Sequence, residues 1–164
     1  MSHAFRLTWD LQELAASMHI REEDVLADFR DGRRVSFVLE RRIRDSFPGW
    51  KLAPSEGAGY DLLDTDGGKW EVRSVSNNIY FCPSYMVGSG RRFEETGFLA
   101  KLDSIEGYIC SDITQFPDIP VFMVPRETLR QLYRGRLLGP NTSISRSNFY
   151  ARVVPLLKAM DQVR

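Results

Sequence analysis

Two short apolar runs, GYIC at residues 107–110 and IPVFMV at residues 119–124, constrain the fold more than any other feature of this sequence. Uninterrupted apolar runs of this length are typical of strands that are buried on both faces of a sheet. A helix is predicted just before them, at residues 93–103. We therefore expect the two runs to be buried neighbours in a mixed sheet that helices cover.

The remaining elements are predicted from helical spacing, alternation and punctuation by glycine, proline and aspartate. The predicted helices are 9–17, 21–30, a longer one at 32–47 closed by Pro48-Gly49, one from Arg126 and one at the C terminus after a polar loop at 139–148. The predicted strands before the apolar runs are 50–54, 59–65 and 69–76. The expected fold class is α/β or α+β, with a central mixed β-sheet flanked by helices.

Composition limits the class of protein. The chain has 164 residues, of which 43% are hydrophobic, enough for one domain with a substantial core. It contains no apolar run of the length that a membrane span requires, and its N terminus lacks the layout of a secretion signal. Cys82 and Cys110 lie in apolar surroundings without a CxxC spacing. These features predict a cytoplasmic protein with reduced cysteines and no membrane partner.

Charge is distributed unevenly along the chain. The formal net charge is zero, yet residues 126–164 contain eight basic and two acidic side chains, and arginine supplies 18 of the 22 cations. Arginine suits phosphates and guanine edges, which favours a nucleic-acid partner, although a GC-rich genome would also enrich arginine. No phosphate-binding glycine motif follows a predicted strand, so a nucleotide cofactor is not expected.

The stretch GYDLLDTDGGKWEVRSVS, residues 59–76, places two carboxylates and a cation on one hairpin. Hydrolysis of a phosphodiester requires a divalent metal with oxygen ligands, an activated water and a cation for the developing charge. Asp61 and Glu71 offer two carboxylate ligands and the Val72 carbonyl a third. Arg73 lies two residues after Glu71 and therefore on the same face of the strand.

The register of the hairpin decides whether Asp61 reaches that face. A three-residue loop at 66–68, with Gly68 in the left-handed position, would set Asp61 opposite Arg73. A two-residue loop would place Asp61 on the other face unless a bulge intervenes. The face opposite to Glu71 and Arg73 would carry Leu62, Trp70 and Val72, which suit the core. A merely solvated polar face is therefore the alternative to a metal site.

Glu40 is a third carboxylate of interest. It lies on the predicted helix 32–47 beside the apolar positions Phe37 and Ile43 rather than on the arginine-rich face. Because glutamate is rarely buried without a partner, this position requires a metal or a cation. A pairing with Arg41 or Arg44 would satisfy it equally well.

This arrangement resembles the PD-(D/E)xK nuclease superfamily, which includes type II restriction endonucleases. The likeness spans about residues 33–125: Glu40 matches the helix acid, Asp61 the motif aspartate and Glu71 the second acid, while EVRS resembles the EVKS of the family. The resemblance implies a restriction endonuclease-like fold and an endonuclease that depends on Mg²⁺, with Mn²⁺ as a substitute. It also implies a homodimer on double-stranded DNA.

The resemblance further divides the single domain, residues 1–164, into three parts. Residues 1–32 are a helical N-terminal part whose helices at 9–30 contribute to the dimer surface. Residues 33–125 are the catalytic core, and residues 126–164 are the basic C-terminal part.

Arg73 departs from the family, which usually has lysine there. A guanidinium does not lose its proton in proteins, so Arg73 can orient water and stabilise charge but cannot act as a general base. Lys69, two residues before Glu71, is a substitute cation. An inactive nuclease fold that binds DNA or a protein partner is therefore an alternative, and a structural domain with solvated carboxylates is another.

Two polar segments have the chemistry to contact DNA phosphates and base edges. The predicted contacts are Ser89, Arg91 and Arg92 in the first segment and Asn141, Ser143, Ser145, Arg146 and Asn148 in the second. A loop that starts a helix would explain the first segment equally well. A cap of the last helix, formed by Ser145 or Ser147, would explain the second.

Overall fold

The computed structural model describes residues 2–31, 35–87 and 90–162. The described strands are β1 Ala4–Thr8, β2 Lys51–Leu52, β3 Leu62–Leu63, β4 Lys69–Val75, β5 Asn78–Tyr80, β6 Gly107–Asp112, β7 Asp118–Pro125 and β8 Ser143–Ser145. The helices are α1 Leu11–Met18, α2 Glu22–Asp31, α3 Val35–Ser46, α4 Glu95–Ser104, α5 Arg126–Arg134, α6 Arg146–Asn148 and α7 Val154–Gln162, and a π-helical turn, Phe149–Val153, joins the last two. None of the described helices is both long and apolar enough to cross a membrane.

A mixed sheet of six strands organises the described chain, in the order β1-β7-β6-β4-β3-β2. β4 and β6 are parallel, and the other neighbours in this sheet are antiparallel. Every residue of β6 is buried, as are the six residues 119–124 of β7. The prediction that the two apolar runs are buried neighbours in a mixed sheet is therefore confirmed, and the fold class is α+β.

The sheet separates two hydrophobic cores. One core packs α3 and the N-terminal helices against the face that carries Leu62 and Val72. The other core packs α4, α5 and α7 against the opposite face, which carries Val75 and Tyr108. Because side chains alternate along a strand, Glu71 and Arg73 of β4 point to the same side as Val75, toward α4. The predicted core role of Leu62 and Val72 is confirmed.

Two short strands, β1 and β8, depart from the prediction. Residues 4–8 form β1, which pairs with the edge of β7, so the N-terminal part is not purely helical. β5 pairs with β8 inside the segment expected to be a polar loop. β1 buries only Leu7 and β8 only Ile144, and a single buried residue in a short strand produces no readable alternation.

Asp112 holds the C-terminal helices against the end of β6. Its carboxylate is fully buried and accepts hydrogen bonds from Arg146 at 2.7 Å, from the Tyr150 hydroxyl at 2.6 Å and from the Gln115 amide at 2.9 Å. Burial raises the pKa of this carboxyl, but these bonds together with those from Thr114 outweigh it and lower the pKa to about 2. The ionised form is therefore the one that the fold stabilises.

We expect Asp112→Asn to lower the free energy of unfolding by about 2–3 kcal/mol at neutral pH, since it removes the buried charge that Arg146 and Tyr150 surround. Because the folded pKa of Asp112 lies below its unfolded value, its contribution is complete above about pH 4 and is lost as pH falls toward 2. Urea unfolding of wild type and variant between pH 7 and pH 2 measures both effects.

Asp118→Asn is the matched control, because Asp118 forms an exposed ion pair with Arg6 at 2.9 Å. A change within about 0.5 kcal/mol is expected for this pair. Equal destabilisation by the two substitutions, or an unchanged acid transition in Asp112→Asn, would contradict the role of Asp112.

Candidate active site

The loop between β3 and β4 is built on Asp64. Its carboxylate accepts hydrogen bonds from the Gly68 amide at 2.6 Å, the Asp66 amide at 3.0 Å and the Trp70 indole at 2.9 Å. The left-handed position belongs to Gly67, with φ +83°, and not to Gly68 as predicted. Gly68 is required for a different reason: a Cβ there would lie 2.4 Å from the Asp64 carboxylate.

The hairpin register is shifted by two residues from the predicted one. Leu62 pairs with Trp70 and Leu63 with Lys69, which leaves five residues, 64–68, in the loop rather than three. The Asp61 amide donates to the Trp70 carbonyl at 2.9 Å, and the Asp61 carboxylate accepts from the Val72 amide at 2.7 Å. These two contacts lie on either side of Glu71 in the chain, so Asp61 lies beside Glu71 instead of opposite Arg73.

Glu71 is the centre of the cluster. Its side chain is only 12% exposed, because it points to the face of the sheet that α4 covers. One carboxylate oxygen is 2.8 Å from the Arg73 guanidinium, and the other accepts a hydrogen bond from the Lys101 ammonium. Both oxygens of the predicted metal ligand are therefore held by cations.

Lys101 was not among the residues that the sequence pointed to. It lies on α4, three residues after the buried Phe98 and one before the buried Leu102, and its side chain is 12% exposed. Its ammonium also donates to the Gly59 carbonyl at 2.5 Å. A lysine at helical spacing from an apolar stripe was the signal that could have identified it, the same signal that drew attention to Glu40.

Arg73 contacts two of the predicted metal ligands, the Glu71 carboxylate and the Val72 carbonyl. Besides Glu71, its guanidinium donates to the Val72 carbonyl at 3.0 Å and to the Tyr80 carbonyl at 3.4 Å. Lys69, the predicted substitute cation, is exposed and lies 5.3 Å from the centre of the Tyr60 ring. The second cation found on Glu71 is thus Lys101 of the neighbouring helix, not Lys69 of the same strand.

The electrostatics of Asp61 reflect its neighbours. Burial, and then the negative charge of Glu71, raise the pKa of the Asp61 carboxyl, while the Val72 amide, Arg73 and Lys101 oppose the shift. A divalent cation bound beside Asp61 would oppose this effect of Glu71 on the Asp61 carboxyl.

Glu40 lies in the other helical layer. α3 packs on the face opposite to Glu71, but Glu40 and Asp61 both line one cleft of about 460 Å³ at the margin of the sheet. The Glu40 carboxylate is 4.0 Å from the Arg41 guanidinium, one of the pairings considered from the sequence. Phe37, expected in the apolar stripe of this helix, is instead 60% exposed and lines the same cleft.

The oxygen atoms of Asp61, Glu71 and Val72 supply some of the ligands that a hard divalent cation needs, but not a complete set. Among the described residues, no three histidine, cysteine, aspartate or glutamate side chains are grouped closely enough to hold a metal. Asp61 and Glu71 still provide two adjacent carboxylates, with the Val72 carbonyl next to them. This is the kind of set to which Mg²⁺ binds in proteins when water and substrate phosphate complete its coordination.

The predicted DNA contacts fall into two regions. Arg91 and Arg92 are exposed on the segment that leads into α4, and the Arg91 guanidinium donates to the Val87 carbonyl at 3.0 Å. Ser89 lies outside the described residues. The remaining contacts lie around β8 and α6.

The segment around β8 lies close to Arg73. Ser143 pairs with Tyr80, whose carbonyl accepts from Arg73, and Asn141 takes a left-handed conformation with φ +53°. The Ser145 hydroxyl caps α6 by accepting from the Asn148 amide at 3.3 Å, the capping role weighed for this serine. Arg146 is committed to Asp112, although its side chain remains 37% exposed.

Comparison of the chain with protein-family models, with curated proteins and with solved structures gives no match. The function is therefore inferred from the geometry of the site.

We expect Gly68→Ala to destabilise the protein by about 1–3 kcal/mol, because the added methyl group would collide with the Asp64 carboxylate and with Glu106, 2.7 Å away. Gly57→Ala is the control, since a Cβ at Gly57 would meet no atom within 4 Å. Denaturant unfolding of the two variants measures the difference. Equal stabilities would show that the loop does not depend on this close approach.

Proposed function

We propose that this protein is a Mg²⁺-dependent endodeoxyribonuclease of the restriction type, with a PD-(D/E)xK-like fold that acts on double-stranded DNA. One observation carries the proposal: Asp61 and Glu71 lie side by side on the sheet, and two cations, Arg73 and Lys101, contact Glu71. Paired carboxylates for a metal, together with cations for a phosphate, are the groups that phosphodiester hydrolysis requires.

The fold supports the same proposal in coarser form. A helix, an antiparallel hairpin that carries the acids, a second helix and two buried strands follow in the expected order, as α3, β3–β4, α4 and β6–β7. β4 and β6 run side by side in the middle of the sheet. Glu71 therefore lies on a central strand, and Asp61, which directly precedes β3, is fixed by its hydrogen bonds to Trp70 and Val72 of β4, which suits a site that must hold its groups in a fixed geometry.

The carboxylates and the cations of the site have different proposed roles. Asp61, Glu71 and the Val72 carbonyl would hold Mg²⁺, which supplies Lewis-acid polarisation of the phosphoryl oxygen and activation of water. Arg73 and Lys101 orient the scissile phosphate and stabilise the negative charge that develops on its oxygens. Arg73 does not accept the proton of the attacking water, since a guanidinium stays protonated.

The partners are proposed on the same basis. Exposed Arg91 and Arg92, which precede α4, and the polar segment 141–148, which lies beside Arg73, would bind the DNA backbone and base edges. A homodimer that uses the helices at 9–30 would present two such sites to the two strands, in a cytoplasmic setting. Glu40 would support the metal or its water from the cleft that it shares with Asp61.

A second candidate function is a nuclease-like module that binds DNA or a protein without cleaving it. Arg73 favours it, because its guanidinium already occupies Glu71 and the Val72 carbonyl, two of the three groups assigned to the metal. Cleavage and binding assays separate the two candidates.

We expect the wild type to convert supercoiled plasmid with Mg²⁺, and Asp61→Asn and Glu71→Gln to lower the rate by at least about 100-fold, because each removes a charged group from the transition state. Asp66→Asn is the matched control: it removes an exposed carboxylate from the same hairpin. Gel analysis of nicked and linear products measures the rates.

Absence of cleavage by the wild type with Mg²⁺ or Mn²⁺, on DNAs of diverse sequence, would overturn the enzyme. DNA binding that persists under those conditions would favour the binding module. Loss of activity in Asp66→Asn as large as in Asp61→Asn would show that the assay reports folding rather than the site.

The DNA interface has its own test. We expect Arg92→Ala to weaken binding of a duplex and to lower the slope of log affinity against log salt by about one, since one phosphate contact releases about one counterion. Arg134→Ala, an exposed arginine at the end of α5, is the control and is expected to leave the slope unchanged. Fluorescence anisotropy between 50 mM and 200 mM salt measures both. Equal slopes for wild type and Arg92→Ala would remove Arg92 from the interface.

A further inference from the structure

The two cations of the site, Lys101 and Arg73, contact the same groups that the proposed function assigns to the metal. Lys101 and Arg73 each contact one oxygen of Glu71, and Arg73 also contacts the Val72 carbonyl. The lysine and glutamate side chains are each 12% exposed and the arginine 23%, so bulk water screens these contacts weakly. A metal that enters must therefore compete with ammonium and guanidinium for the same oxygens.

A phosphodiester changes that competition. Its charged oxygens are acceptors for both an ammonium and a guanidinium, and arginine suits them geometrically. Lys101 reaches Glu71 from α4 on a flexible stem, so its ammonium can turn to an adjacent anion without a change in the backbone. Arg73 keeps its contact to the Tyr80 carbonyl at 3.4 Å as a second anchor.

We propose that Lys101 and Arg73 form the phosphate-binding position of this site and that metal and phosphodiester bind to it with positive coupling, since the anion draws the two cations away from Glu71 and Val72. The inference deepens the proposed function and rests on it for the position of the metal. By linkage, the metal must strengthen phosphate binding by the same factor as phosphate strengthens metal binding.

The coupling can be measured without cleavage. The probe anion is dimethyl phosphate, a single phosphodiester, with sodium chloride at the same ionic strength as the reference. The EPR signal of free Mn²⁺ during titration gives the metal affinity of the wild type, of Lys101→Met and of Lys101→Gln. Thermal melts show whether each variant folds. Lys101→Gln keeps a hydrogen-bond donor for the Gly59 carbonyl, so it replaces Lys101→Met if the methionine variant does not fold.

We expect dimethyl phosphate to tighten Mn²⁺ binding by the wild type about tenfold. Lys101→Met and Lys101→Gln should bind Mn²⁺ about tenfold more tightly than the wild type without the anion, and should gain less from it. Lys69→Met, which removes an exposed lysine two residues from Glu71 on the same strand, is the control and should remain close to the wild type.

Two results would overturn the coupling. One is equal Mn²⁺ affinity of the wild type with and without dimethyl phosphate, and the other is no gain in affinity in the folded Lys101 variants. Either result combined with plasmid cleavage by the wild type would reject the coupling and leave the nuclease standing. The expected coupling without plasmid cleavage would support the phosphate position and reject the nuclease.

Discussion

The centre of this molecule depends on the neutralisation of one carboxylate. Glu71 stands on a strand with neighbours on both sides, and an unpaired charge at that depth would cost several kcal/mol. Lys101, on the neighbouring helix α4, lowers that cost by pairing with Glu71. An ion pair therefore joins α4 to the sheet in addition to the packing of Phe98 and Leu102. Because apolar residues of similar volume often stabilise such a position at least as well, stability alone does not account for the ion pair, whereas the proposed ligand site would account for it.

The features that could be predicted from the sequence are those that depend on the spacing of apolar residues and on composition. The buried runs of β6 and β7 and the alternation of Leu62, Trp70 and Val72 with Asp61 and Glu71 are read from apolar spacing. The structure agrees on β4, β6, β7 and the core face, whereas the predicted strands 50–54 and 59–65 are reduced to the two-residue strands β2 and β3. The hairpin register was missed because three hydrogen bonds to Asp64 fix it, and a side chain that organises its own loop has no periodic signature.

The prediction of the site was limited because the packing of helices on the two faces of the sheet cannot be read from the sequence. Glu40 and Lys101 both stand at helical spacing from buried apolar residues, and the sequence cannot say which helix covers which face of the sheet. α3 covers the face of Val72 and α4 covers the face of Glu71, so the lysine reaches the carboxylate, while Glu40 meets Asp61 only across the cleft at the margin. A charged residue beside an apolar stripe thus indicates a partner without identifying it.

The charges of the four side chains limit what the site can bind. Counted in their ionised forms, Asp61 and Glu71 contribute two negative charges and Arg73 and Lys101 two positive ones, so the set is formally neutral. A divalent cation alone would leave two excess positive charges in a partly buried place, and a phosphodiester alone would leave one excess negative charge. Together they leave a single positive charge, so each ligand lowers the electrostatic cost of the other. A neutral constellation of this kind favours joint occupancy by metal and phosphate over occupancy by the metal alone.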